Sequence, residues 1–179
     1  MQGLMKPRYG LASIMNPDRR RFIKEILNLL NGFFGEKLVS VVVFGSVARG
    51  DAKPTSDTDI LIVAENLPKR ISEKMEVMAK ILIKLRDTQV YKELRKKGIN
   101  TWVQFYPLTP EEAKIHRPIY LDMVEDAVIL VDNDSFMESV FTSLRKRLGE
   151  LKARRIYLKN GTWLWDLKPD IKRGEAVEI

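Results

Sequence analysis

Cysteine is absent from this 179-residue chain, which excludes disulfides, thiolate metal sites and cysteine nucleophiles. The single histidine, His116, cannot build a histidine-rich metal site and reads as a surface or helix-end residue. No apolar run approaches the roughly 20 residues needed to span a bilayer, and the opening segment MQGLMKPRYG lacks the apolar stretch of a signal peptide. A soluble, cytoplasmic protein with no membrane partner is therefore expected. Glutamine occurs only three times while charged residues make up 31% of the chain, a balance that leans toward a thermophilic source.

Positive charge is in excess. The formal net charge is +7 and the isoelectric point about 9.6, which suits a partner rich in phosphate, such as a nucleotide or nucleic acid. Ten Lys or Arg against four acids lie between Lys69 and Lys97, and six against one between Arg145 and Arg155. Solvated helix faces are the ordinary reading of both stretches.

The densest signal is the run VVVFGSVARGDAKPTSDTDILIV from Val41 to Val63. An apolar segment ends in Gly-Ser and a second one opens on Asp-Thr-Asp. Strand residues i and i+2 share a face, so Asp57 and Asp59 can direct their carboxylates into one small volume. Two such charges need a cation, and hard ions such as Mg2+ or Mn2+ bind through one or two carboxylates and substrate phosphates. Gly45 allows close approach of backbone to a ligand, and Ser46 adds a hydroxyl and an N–H at the start of a short helix. Arg49, one helical turn on, could fork onto a phosphate oxygen, or simply pair with Asp51 at the surface. Gly50 then ends the turn. A turn glycine, a helix cap and a solvated strand start are the ordinary alternatives for Gly45, Ser46 and Asp57. Asp59 opens an apolar strand, where a solvated acid gains nothing.

These residues resemble the nucleotidyltransferase superfamily related to DNA polymerase beta, most closely its minimal nucleotidyltransferase group. Five elements occur in order: an apolar strand, Gly-Ser, Arg-Gly, Ser-Asp-x-Asp and a second apolar strand. The resemblance implies a metal-dependent transfer of a nucleoside monophosphate from a nucleoside triphosphate to an acceptor. Asp57 and Asp59 would be catalytic and hold Mg2+ or Mn2+. Gly45, Ser46, Arg49 and Ser56 would bind the nucleotide. The acceptors implied are an RNA end, a small molecule or a protein hydroxyl, the last as antitoxin to a helical toxin partner. The family also places a third acid on a following strand. Here that strand, Ile99 to Leu108, has no Asp or Glu, and Gln104 takes the third position. An amide cannot serve as a strong base, so a nucleotide- or RNA-binding module without turnover is the alternative, unless Glu111, Glu112 or Asp122 folds into the site.

The rest of the chain alternates helix and strand. Asn16-Pro17-Asp18 starts a helix whose Ile23, Ile26, Leu27, Leu30 and Phe34 recur at helical spacing until Gly35. Strands are expected at Leu38 to Phe44 and Asp59 to Ala64. One long helix is expected after Pro68, with Ile71, Met75, Met78, Leu82 and Leu85 on its apolar face and Gly98 at its end. Thr109-Pro110-Glu111-Glu112 opens a short helix, Tyr120 to Glu125 another, and Ala127 to Val131 a buried strand. A helix follows Asp132 to Ser135, and Asn160-Gly161 between apolar triplets signals a hairpin. Its Tyr157, Trp163 and Trp165 could stack bases or pack across the strands. The expected architecture is α/β (α+β): a single domain over 1–179, a mixed-sheet nucleotidyltransferase core with flanking helices over about 17–132, and a C-terminal helix plus hairpin over about 133–179.

Overall fold

A computed structural model describes residues 8–159, 161–172 and 174–179. Asn160 and the opening residues 1–7, on which part of the hairpin-turn and leader expectations rests, lie outside the described residues.

Five strands form one mixed sheet: β1 (Arg8–Tyr9), β2 (Leu38–Phe44), β3 (Thr58–Ala64), β4 (Val103–Leu108) and β5 (Val128–Asp132), in the order β1-β5-β2-β3-β4. The β2 strand runs antiparallel to both β5 and β3, while β3 pairs with β4 in parallel. The unbroken apolar runs of β2 and β3 are explained by cover on both faces. On one face, Val41, Val43, Ile60, Ile62, Val103 and Phe105 pack against α1 (Pro17–Phe34), α3 (Ile71–Asp87) and α4 (Gln89–Lys96). On the other, Val42, Leu61, Val63 and Ile129 pack against α6 (Tyr120–Asp126) and α7 (Phe136–Glu150). The remaining helices are α2 (Gly45–Arg49), between β2 and β3, and α5 (Pro110–Ala113). Among the described residues no helix is long and apolar enough to cross a membrane.

Local chemistry explains most element ends. Asn16 accepts the Arg19 N–H at 3.0 Å and Pro17 occupies the first turn of α1, as the sequence indicates. Thr109 and Glu112 form a reciprocal capping box on α5. The Asp132 carboxylate accepts the N–H groups of Met137 and Glu138 at 2.8 and 2.9 Å, starting α7, and also takes the buried Ser40 hydroxyl.

The single long helix expected from Pro68 to Gly98 is two. Thr88 stands in extended conformation, donates its hydroxyl to the Leu85 carbonyl at 2.7 Å and accepts the Tyr91 N–H, closing α3 and capping α4 with one side chain. The buried positions of α3 are Lys74, Met78, Ile81 and Leu85, whereas Ile71 and Met75 lie exposed. Lys74 is buried against Glu112 of the α5 cap, so one cation of the Lys69–Lys97 stretch is a core residue. The β4 strand begins at Val103 rather than Ile99. Residues 99–102 form a loop in which Asn100 donates its backbone N–H to Pro54 at 2.7 Å and its side-chain amide to Thr55 at 2.9 Å.

Arg19 is the least expected core residue, 2% exposed. Its guanidinium donates to the carbonyls of Ser56 at 2.6 Å, Asn100 at 2.7 Å and Lys53 at 3.2 Å. It thereby ties α1 to the loop entering β3 and to the loop entering β4. Burial lowers its pKa, and the charge of Asp57 acts in the opposite direction. Replacing Arg19 with Met strands these carbonyls, and a loss of about 3 kcal/mol is expected in urea unfolding, with faster protease cleavage near residues 53–56. A loss under about 1 kcal/mol would show that the loops hold without it.

Candidate active site

The site forms where β2 and β3 meet the short helix between them. The β2 strand ends at Phe44, and Gly45 turns the chain into α2 at φ +68°, a left-handed conformation suited to glycine. A Cβ at Gly45 would come within 2.4 Å of Asp59 Oδ2, so the missing side chain is what lets that carboxylate lie against the turn. Gly50, at φ +89°, returns its N–H to the Ser46 carbonyl at 3.0 Å and ends α2. These features match the turn read from the sequence.

Asp57 stands immediately before β3, and Thr58 is fixed by an N–H to the Trp102 carbonyl at 3.0 Å. Asp59, the second residue of β3, pairs with Phe44 on one side and with Gln104 of β4 on the other. In a parallel pair, registered residues share a face, so Gln104 is the sheet neighbour of Asp59, at the position expected for the third acid. Gln104 is exposed on the edge strand of the sheet.

The charges of these groups act on one another. Burial and the nearby Asp57 charge push the Asp59 carboxyl up to about 6, while Arg49 acts to lower it. Arg49 donates Nε to Asp51 at 3.2 Å, the surface pairing read from the sequence, and its guanidinium carbon lies 4.8 Å from the centre of the Trp163 ring. Neither of its Nη groups donates to a described residue.

The structure thus brings together Gly45, Arg49, Asp57, Asp59 and Gln104. Ser46 follows Gly45 in the first turn of α2. Ser56 sits in the loop below: its hydroxyl accepts the Lys53 N–H at 3.0 Å and its carbonyl takes Arg19, so its contacts are those of a loop closure. The acids considered as substitutes for the third carboxylate are committed elsewhere. Glu112 bonds Lys74 and the Thr109 N–H; burial opposes ionisation there, but these donors hold its pKa below the ordinary value. Asp122 accepts the indole N–H groups of Trp163 and Trp165 at 2.8 and 3.1 Å, and Glu111 is exposed. Among the described residues no three His, Cys, Asp or Glu side chains gather at metal-ligand spacing. Arg19 was not visible as part of the site from the sequence; its place three and four residues before the buried Phe22 and Ile23 is the signal that could have found it.

A carboxylate pair against a glycine turn, at the join of two apolar strands, defines a class of protein. Residues 21–121 match the family model of the nucleotidyltransferase domain, more than half of the chain, and the chain belongs to that family. A relative from Methanocaldococcus jannaschii, named as a candidate protein adenylyltransferase, is 27% identical over 130 residues, covering 73% of this chain and 83% of the relative. A second from the same organism, named likewise, is 38% identical over 56 residues, 31% of this chain and 56% of its own length. Among solved structures, a toxin-antitoxin with AMP-PNP is similar at TM-score 0.45 and 17% identity, over 72% of this chain and 91% of that one. A candidate nucleotidyltransferase from Sulfolobus solfataricus gives TM-score 0.37 and 25% identity, over 65% and 85%.

The raised pKa of Asp59 has a direct stability consequence. The folded chain binds this proton more tightly than the unfolded chain, whose carboxyl titrates near 3.8, so stability falls as pH rises from about 4 through about 6. Asp59→Asn is therefore expected to stabilise the metal-free protein at pH 7 by about 1–2 kcal/mol after solvent screening, and to change little at pH 4. Thermal melts at both pH values test this; equal effects at the two would refute it. Gly45→Ala should cost about 1–3 kcal/mol in urea unfolding, because it strains a left-handed turn and displaces Asp59.

Proposed function

We propose that the chain transfers AMP from ATP to a hydroxyl of another protein, using Asp57 and Asp59 as its catalytic carboxylates. The observation that carries this reading is the packing of Asp59 against Gly45, with Asp57 close enough to raise its pKa and Gln104 beside it in register. The choice of AMP and of a protein acceptor is supported by the description of the relatives, which favours it over an RNA end.

In this reading the Gly45 and Ser46 N–H groups and the Ser46 hydroxyl hold the β- and γ-phosphates. Arg49 offers its two Nη groups to a phosphate oxygen. The acceptor oxygen attacks the α-phosphorus in line, the bond to the bridging oxygen breaks, pyrophosphate leaves, and the proton of the acceptor hydroxyl passes to solvent water. Two hard oxygen donors whose charge is only partly compensated fit a divalent cation such as Mg2+ or Mn2+, so Asp57 and Asp59 would hold it. When bound, such an ion neutralises charge developing on the triphosphate. Arg19 fixes the loop from which Asp57 projects, and positioning supplies a large part of the rate in transfers of this kind. Gln104 can accept a hydrogen bond from the attacking hydroxyl and so orient it, but it cannot remove its proton.

That no cluster of three acids forms among the described residues supports a second reading, a module that binds nucleotide without turnover. The test is transfer of label from α-labelled ATP, CTP, GTP and UTP, with Mg2+ or Mn2+, to cell-extract protein and to total RNA. Label from ATP on protein, lost in Asp59→Ala, is the expected result. Label on RNA would reassign the acceptor. No label, but thermal stabilisation by ATP and Mg2+ that Asp59→Ala removes, would establish the binding module. Gln104→Asp is expected to raise turnover at least about tenfold; an unchanged rate would mean that no proton acceptor is lacking at that position.

A further inference from the structure

The hairpin of β6 (Arg154–Tyr157) and β7 (Trp163–Asp166) lies outside the residues that match the family model, yet it reaches the motif helix α2. Its contacts form a chain of fixed groups. Arg155, with 4% of its side chain exposed, donates to Glu125 at 2.9 Å and to Asp126 at 2.7 Å, both near the end of α6. Its guanidinium carbon lies 4.0 Å from the centre of the Trp163 ring. Trp163 donates its indole N–H to Asp122 at 2.8 Å, one α6 turn earlier. The guanidinium of Arg49 then lies over the same ring, at 4.8 Å. Trp163 is thus fixed at its edge by Asp122 and over its ring by Arg155, and presents a prepared surface to a cation of the motif.

We propose that Trp163 is a positioning residue for Arg49, holding its guanidinium over the indole so that its Nη groups face the phosphates of the bound nucleotide. This rests on the nucleotide-binding reading of Arg49 given above. An arginine loses much rotamer freedom when it engages a ligand, and one already held by a ring and by Asp51 loses less. Stacking also leaves the edges of the guanidinium plane free for in-plane hydrogen bonds. With Nε on Asp51, the Nη groups are the donors that remain. The hairpin therefore acts on the affinity for nucleotide through Arg49.

The test is a double-mutant cycle on the binding of ATP with Mg2+, measured by isothermal titration calorimetry on the full chain, with melting temperature followed in parallel. Arg49→Ala should weaken binding. Trp163→Ala should weaken it about two- to tenfold, the equivalent of immobilising one long side chain. Trp163→Phe, which keeps an aromatic face, should restore most of that loss. In the Arg49→Ala background, Trp163→Ala should have no further effect on affinity. A purely structural hairpin would lower the melting temperature in both backgrounds without this coupling. Additive losses, unchanged affinity in Trp163→Ala, or tighter binding in that variant would each overturn the positioning role while leaving the nucleotide reading intact. Unchanged affinity in Arg49→Ala would remove the phosphate role of Arg49 and the role of Trp163 with it.

Discussion

The guanidinium of Arg19 lies beneath the loop that delivers Asp57, and its position dictates much of the geometry above it. A cation removed from water must be surrounded by acceptors, and here they are backbone carbonyls of two separate loops. Those loops enter β3 and β4, the two parallel strands that carry Asp59 and Gln104. Fixing their entry points fixes the register, and register decides which side chains stand beside one another. Asp57 sits close enough for its charge to favour the cation, so the arginine that secures the loop also has an acid of the site near it.

Repulsion between the two acids is characteristic of a site built for a ligand rather than for stability. Burial and a neighbouring like charge both oppose ionisation of Asp59, and Arg49 offsets them only in part. Gly45 adds to the effect, since a side chain there would exclude the carboxylate from the turn. The region contrasts with the Asp132 carboxylate, whose partners are all hydrogen-bond donors and which serves to join β5 to α7. The two settings separate a carboxylate that hydrogen-bond donors surround from one that burial and a like charge oppose.

Much of this was legible in the sequence, for identifiable reasons. The Gly45 turn and the apolar strands around it are local signals, set by sterics and by a period of two, and the closeness of Asp57 and Asp59 in sequence keeps them near one another although Asp57 lies just before β3. Gln104 was singled out through the family resemblance, which places a third side chain on the following strand, and by its length, although that strand begins at Val103 rather than Ile99. Arg19 was not legible, because Arg19-Arg20-Arg21 is a run of three identical residues of which only one turns inward. The break at Thr88 was hidden because apolar spacing continues across it, while the decisive event is a single hydroxyl bonding in both directions. The hairpin was visible from its turn residues and aromatic strands. Its docking on Asp122, Glu125 and Asp126 depends on long-range placement, which no local pattern encodes.

The sheet is covered by two clusters of unequal kinship to the family. The cluster on the α1 and α3 side lies mostly within the matched residues, whereas Met137, Phe141, Leu144 and Leu148, which cover the opposite face, all lie beyond residue 121. So does β5, which stands between β1 and β2. A fragment confined to the matched residues would leave Val42, Leu61 and Val63 open to water and one edge of β2 unpaired. The motif is therefore not a detachable cassette: the residues that carry it lie within the stretch that matches the family model, while much of the cover on one face of its sheet comes from residues beyond that stretch.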